Sequence, residues 1–159
     1  MFKQANPMRD LTIRAARADE HDEIARVWMD SWVSIGLEAA SEKLLADLRA
    51  RVRKEVANEW TLYVADDAGR IAAMLALRLR DGYLDQLFVD PEYHGRGIGK
   101  MLLQFSRKVL GDEIWLRCAK PNQKAWSWYE REGFVLEKEE LHPEFRLMMR
   151  YYRWKKGST

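Results

Sequence analysis

The chain has one cysteine, Cys118, so no disulfide can form within it. Nothing in its composition calls for an oxidising compartment. It has only three histidines, His21, His94 and His142, and their spacing with one another and with Cys118 matches no ligand pattern. No metal is therefore expected. Long apolar runs are also missing. None approaches the roughly 20 residues that span a bilayer, so no membrane partner is expected. The first residues lack the apolar segment of a secretory signal, which makes a cytoplasmic location the expectation. A surplus of one charge is missing too. The 27 basic and 25 acidic residues leave a net charge of +2, with the basic residues scattered among acids. That balance argues against a nucleic-acid partner. Only the stretch from Arg150 to Lys156 is locally basic, and it reads as a solvated terminus. There is no repeat, no low-complexity tract and no Pro/Gly-rich linker. A single domain over residues 1–159 is the simplest reading, with its core at about 11–153.

What is present is an ordinary globular composition, 47% hydrophobic and 33% charged. Seven tryptophans are many for 159 residues, and Trp suits both cores and ligand clefts. Residues 1–9 read as a loose lead-in and Leu11–Ala16 as a first strand. Asp19 can cap a helix to about Ser34, with Ile24, Val27, Trp28, Ser31 and Ile35 on one face. Ser41 caps a second helix whose stripe is Leu44, Leu45, Leu48, Val52 and Val56. Trp60–Ala65 and Ile71–Leu79 form a hairpin across Asp66-Asp67-Ala68-Gly69. Asp81-Gly82 turns into a strand over Tyr83–Val89, which Pro91 ends. A helix runs to about Leu110 on an apolar face of Ile98, Met101, Leu102, Phe105 and Val109. Glu113–Cys118 is a strand, Asn122–Glu132 a helix, and Phe134–Lys138 and Phe145–Trp154 are the last strands. The order β-α-α-β-β-β-α-β-α-β-β predicts an α+β (mixed α/β) fold, with helices covering a sheet whose strands show little polar alternation.

The segment Tyr93-His94-Gly95-Arg96-Gly97-Ile98-Gly99-Lys100 follows a strand and opens an amphipathic helix. A helix start leaves backbone N–H groups unpaired and carries the positive end of the dipole. Glycines let the backbone approach a phosphate, and Arg96 and Lys100 add charge suited to it. A P-loop would need Ser or Thr after Gly-Lys, and Met101 stands there. A dinucleotide fingerprint would need a glycine where Leu102 stands. A pyrophosphate site of another kind remains.

A second segment, from Asn122 to Phe134, is informative beside it. Asn122 is a good N-cap. Ala125 and Tyr129 share a helix face, and Asn122 lies seven residues before Tyr129, so both can face one ligand. A tyrosine hydroxyl can protonate a departing thiolate. Taken alone, the segment reads better as a core tyrosine with its hydroxyl satisfied locally.

The run from Asp85 to Gly99 closely resembles the acetyl-CoA signature of the GCN5-related N-acetyltransferases (GNAT), Gln/Arg-x-x-Gly-x-Gly/Ala after a strand. Gly97 and Gly99 match its glycines, and His94 stands where Gln or Arg is usual. Asn122, Ala125, Tyr129 and Gly133-Phe134 are similar to the family's second signature. The resemblance covers roughly residues 11–153. It implies a mostly antiparallel twisted sheet of six to seven strands flanked by about four helices. It implies acetyl-CoA as donor, with backbone groups of Leu87, Phe88 and Val89 along the pantetheine arm. The N–H groups from His94 through Gly95, Arg96, Gly97, Ile98, Gly99 and Lys100 would hold the pyrophosphate. Asn122 would contact the CoA arm and Tyr129 would be the general acid.

The implied reaction is direct attack of a primary amine on the thioester, with no acyl-enzyme. Cys118 reads as a small buried apolar residue. Asp85 is the first candidate for the base, with Glu113 and His21 behind it; a solvent-facing strand carboxylate is an equal account of Asp85. The family builds its acceptor pocket largely from the first two helices and nearby strands and loops, where Trp28, Trp32, Ser34 and Glu38 lie. Trp28 fits the core better, and Trp32 fits a lining position. Aromatic rings beside carboxylates suit a cationic amine. The acceptor expected is a small-molecule amine or a peptide amine. A non-catalytic acyl-CoA sensor is the alternative, which would keep the glycine turn without needing Tyr129. The long aromatic last strand would tolerate pairing into a homodimer, although burial within one chain explains it equally well.

Overall fold

A computed structural model describes residues 11–157. Seven strands form one mixed sheet in the order β1-β2-β3-β4-β5-β7-β6, and the fold is α+β. Its residues cluster into two compact units, 11–76 with 86–104 and 77–85 with 105–157.

The first unit opens with β1 (Leu11–Ala15), which pairs antiparallel with β2 (Thr61–Asp67), Leu11 opposite Asp67 and Ala15 opposite Tyr63. Between them run α1 (His21–Ser34) and α2 (Glu42–Asn58). The stripe on α1 is real: Ile24, Val27 and Trp28 are fully buried and Ser31 nearly so. On α2, Leu48 and Val52 are buried, while Leu44, Leu45 and Val56 pack partly against the same core. Ser41 caps α2 by accepting the N–H of Leu44 at 3.0 Å. Asp19 does not cap α1. It lies in a 3-10 turn (Ala18–Glu20) that precedes the helix. Glu20 is drawn inward there, accepting the N–H of Arg17 at 2.8 Å, and α1 starts one residue later than the sequence suggests.

The hairpin turn falls at Ala68 and Gly69, both left-handed, with the Gly69 N–H donating to Asp66 at 2.7 Å. Its second strand, β3 (Arg70–Arg78), is buried on both faces from Ile71 to Leu77, as a continuous apolar run requires. β4 (Tyr83–Val89) has the bounds the sequence sets. Gly82, left-handed at φ +62, turns the chain into it, and Asp90-Pro91 stops it. α3 (Ile98–Leu110) also keeps its bounds. Its inward face is Ile98, Leu102, Leu103 and Ser106, and Val109 is exposed, so the face is rotated from the one expected.

The second unit holds β5 (Glu113–Ala119), α4 (Gln123–Arg131), β6 (Val135–Leu141) and β7 (Met148–Lys155). β5 pairs parallel with β4 at Tyr83 and Trp115, and antiparallel with β7 from Glu113–Lys155 to Ala119–Met149. Among the described residues β6 pairs with β7 alone, and it is bulged between Leu136 and Lys138. Residues Phe145 to Leu147, expected in the last strand, are instead in the β6–β7 loop. Nδ1 of His142 accepts the N–H groups of Glu144 and Phe145, and Arg146 is left-handed, which breaks the strand before Met148. No helix among the described residues is long and apolar enough to cross a membrane.

One ion-pair network has a measurable consequence. Arg14 donates to both oxygens of Glu20, at 2.8 and 2.7 Å, and to Asp66 at 2.9 Å. Glu20 is only 7% exposed. The Arg14 bonds, opposed by burial and helped by the Arg17 N–H, hold its carboxyl at about 2, down from 4.5. A depressed folded-state pKa stabilises the fold above the unfolded value. That stability, on the order of 3 kcal/mol, drains away as pH falls from about 4.5 toward 2. Glu20→Gln should therefore lower the Tm at pH 7, and wild type and variant should converge near pH 2 in thermal melts. A constant gap between the two curves would exclude Glu20 as the titrating group.

Candidate active site

In the first unit, Asp90 closes β4 and starts a 3-10 turn (Pro91–Tyr93) by accepting the N–H of Glu92 at 3.0 Å. It is 2% exposed and its own N–H donates to the Ala72 carbonyl at 2.8 Å. Arg70 and Arg26 stand 3.6 and 3.8 Å from its second oxygen, so the strand end is held electrostatically as well. The Tyr93 hydroxyl donates to Asp67 at 2.6 Å, and its ring is flanked by the guanidinium groups of Arg70 and Arg96. The turn that follows is thus anchored on its strand side.

Gly95 and Gly97 are left-handed, at φ +78 and +81, and no atom lies within 4 Å of where a Cβ would stand on either. Open space therefore faces these two residues. Gly99 lies inside α3 and needs no left-handed backbone. The His94 N–H is committed to Pro91 at 3.2 Å, and the first helical bond runs from Met101 to Gly97. Among the described residues, the N–H groups from Gly95 to Lys100 have no backbone acceptor. These unpaired donors, with Arg96 and Lys100, fit a pyrophosphate. The His94 ring does not extend the cradle. Its Nε2 lies 3.1 Å from the Val89 carbonyl, an acceptor only, so in that bond Nε2 carries the proton.

Phe88 stacks on Trp28 with ring centroids 5.7 Å apart, and Trp32 meets both edge-on. Trp28 is fully buried, whereas Trp32, Leu87, Phe88 and Val89 are half-buried. His21 is the first residue of α1.

In the second unit, Asn122 caps α4, its side-chain oxygen accepting the Ala125 N–H at 3.3 Å. Tyr129 is buried against Trp128 and Phe134, with centroids 4.9 and 5.4 Å away. Gly133, left-handed at φ +96, lets the chain turn so that the Phe134 N–H returns to the Tyr129 carbonyl at 3.0 Å. Burial pushes the Tyr129 phenol well above 10, and Cys118 and Tyr83 add to the rise. Among the described residues its hydroxyl has no hydrogen-bond partner. It is a protonated, unspent donor. Cys118 is also buried, and burial pushes its thiol up to about 12, far from a thiolate at neutral pH.

Tyr83 also lines a cleft of 240 Å³ with Arg78, Asp81, Asp85, Arg117 and Tyr151. Strand geometry explains the grouping. Tyr83 and Asp85 are two apart on β4 and share a face. Trp115 pairs with Tyr83, and Arg117, two residues on, pairs with Tyr151 of β7. The opposite face of β5 carries Ile114, Leu116 and Cys118, all buried. The Asp85 side chain is 7% exposed and accepts from Arg78 Nε at 2.7 Å. Glu113 is committed to Arg153 at 2.7 Å.

Of this cleft, the sequence pointed only to Asp85. The alternation of Ile114, Leu116 and Cys118 with Trp115 and Arg117 was the available signal for a polar face on β5. No local pattern announces that Tyr151, 34 residues further on, pairs with Arg117. The glycine turn belongs to the first unit, whereas Asn122, Tyr129 and the cleft belong to the second.

Comparison with known proteins gives a consistent result. The profile of the acetyltransferase (GNAT) family matches residues 21–134, well over half of the chain. The chain is 28% identical over 130 residues to the peptidyl-lysine N-acetyltransferase YjaB of Salmonella typhimurium, covering 78% of this chain and 83% of that one. The apo solution structure of YjaB from Escherichia coli superposes with a TM-score of 0.74 at 20% identity, over 91% of this chain and 97% of that one. The PaiA N-acetyltransferase of Thermoplasma acidophilum, solved with coenzyme A, has a TM-score of 0.68 at 20% identity, over 91% and 98% of the two chains.

Proposed function

This chain belongs to the acetyltransferase (GNAT) family, and we propose that it moves an acetyl group from acetyl-CoA directly to a primary amine of a small molecule or peptide. The backbone donors from Gly95 to Lys100 hold the pyrophosphate, helped by the charges of Arg96 and Lys100. The end of β4, Leu87 to Val89, carries the pantetheine arm. Bound acetyl-CoA supplies an activated thioester. Asp85, held in place by the Arg78 hydrogen bond, draws the ammonium of the acceptor and takes its proton. Tyr129 gives its hydroxyl proton to the departing sulfur. No nucleophile on the protein is required, because the Cys118 thiol is held protonated by burial.

The observation that carries this reading is the state of Tyr129. A phenol kept protonated by burial of its ring, with no hydrogen-bond partner among the described residues, is free to donate, and it lies near Tyr83. Tyr83 in turn lines the cleft that contains Asp85. The test is free-thiol release from acetyl-CoA across a panel of primary amines, with calorimetric binding of acetyl-CoA and of CoA alongside. Thiol release dependent on an amine is expected. Binding without release with any amine would make the chain an acyl-CoA sensor, and no binding of either would remove both readings.

A further inference from the structure

The cleft beside Tyr83 has a charge pattern that a simple amine site does not need. An amine acceptor arrives as a cation, so carboxylates alone would serve it. Here two arginines stand with two aspartates, and the formal charges cancel. The neutralisation is uneven. Arg78 is paired with Asp85 at 2.7 Å. Arg117 is half-buried, and among the described residues it forms no ion pair with a carboxylate. Its nearest support is the phenol of Tyr151, its partner across the β5–β7 ladder. A guanidinium has five donors in a planar fork and one phenol oxygen can take few of them. Asp85 attracts it only from a distance, having no ion pair with it. A half-buried cation without a paired anion is costly, and a planar anion in contact is what best relieves it.

We propose that the acceptor is an amino-carboxylate, a molecule of amino-acid size carrying its carboxylate near the reacting amine, and that Arg117 binds that carboxylate. The inference rests on the acetyltransferase reading above and narrows its acceptor. Asp85 then faces the ammonium end and Arg117 the carboxylate end, so one zwitterion satisfies both sides of the cleft. The volume of 240 Å³ suits a ligand of that size. A polyamine is a poor occupant, because the cleft offers no surplus negative charge and Arg78 and Arg117 repel it. Tyr83, pushed upward by burial, stays neutral and adds none.

The test uses free amino acids and the matching amino-acid amides as acceptors, with spermidine and an internal-lysine peptide as further arms. Wild type should use the acids with kcat/KM roughly 10- to 100-fold above the amides, the range of one charge-assisted contact. Arg117→Gln should erase that preference by raising KM for the acids far more than for the amides, and Arg117→Lys should restore part of it. Equal use of acids and amides, better use of spermidine or of the peptide, or an equal loss on both sets in Arg117→Gln, would overturn the proposal while leaving the acetyltransferase intact. A second readout needs no turnover. N-acetyl amino acids should bind CoA-loaded protein more tightly than their amides by calorimetry, and Arg117→Gln should abolish the difference. If no amine releases thiol yet this binding preference holds, the transfer reading fails and the carboxylate site stands; if the preference is absent, the site fails.

Discussion

Tyr129→Phe is expected to lower kcat by about 10²- to 10⁴-fold, the usual worth of a positioned general acid. The substitution removes one oxygen and little else. The ring contacts with Trp128 and Phe134 remain available to phenylalanine, and no hydrogen bond is lost because the hydroxyl has no partner among the described residues. The Tm should therefore hold or rise slightly, and the affinity for CoA should stay as it is. The pH profile separates an acid from a packing residue. Burial keeps the Tyr129 phenol protonated well beyond its ordinary value of 10.0. Its ionisation should cause no alkaline fall in wild-type kcat below that pH. The variant should lose rate across the whole range with its profile unchanged in shape. Full activity in Tyr129→Phe would remove the residue from the acid role.

Gly97→Val is expected to weaken CoA binding by about 100-fold, through loss of one or two charge-assisted contacts to phosphate. Two effects combine at this position. The backbone is left-handed at φ +81, which a β-branched residue adopts only with strain of about 1–3 kcal/mol. The side chain would also stand in the open space before the unpaired N–H groups, since no protein atom lies within 4 Å of a Cβ there. Gly111→Val is the control. Gly111 is also left-handed, at φ +91, and also has no neighbour within 4 Å, but it follows the far end of α3. Both variants should lose a similar amount of stability in thermal melts, and only Gly97→Val should lose CoA affinity by calorimetry. Equal affinities in the two would mean that the turn does not hold the pyrophosphate.

The parts of the fold legible in the chain were those with local punctuation. β4 and α3 have the expected bounds because Gly82, Pro91 and Gly111 each impose a backbone state that no neighbour can override. The Ser41 and Asn122 caps were legible for the same reason, since a cap is a bond within four residues. Asp19 misled because Glu20 beside it finds Arg14, and a carboxylate 7% exposed in an ion pair outweighs a cap. Phe145 misled because aromatic content resembles a strand, whereas His142 organises that stretch as a loop.

The glycine turn, its cations and the spacing of Asn122 and Tyr129 were determined by sequence alone, because a backbone cradle and a helix cap are local devices. The same holds for membership of the acetyltransferase family. Tertiary structure alone decided that the His94 N–H and ring are already committed, that Tyr129 is buried, and that Asp85 is paired with Arg78. It alone decided that Arg117 and Tyr151 share a cleft with Asp85. Those are consequences of strand register between segments tens of residues apart, and register depends on which apolar faces find a common core rather than on any local motif.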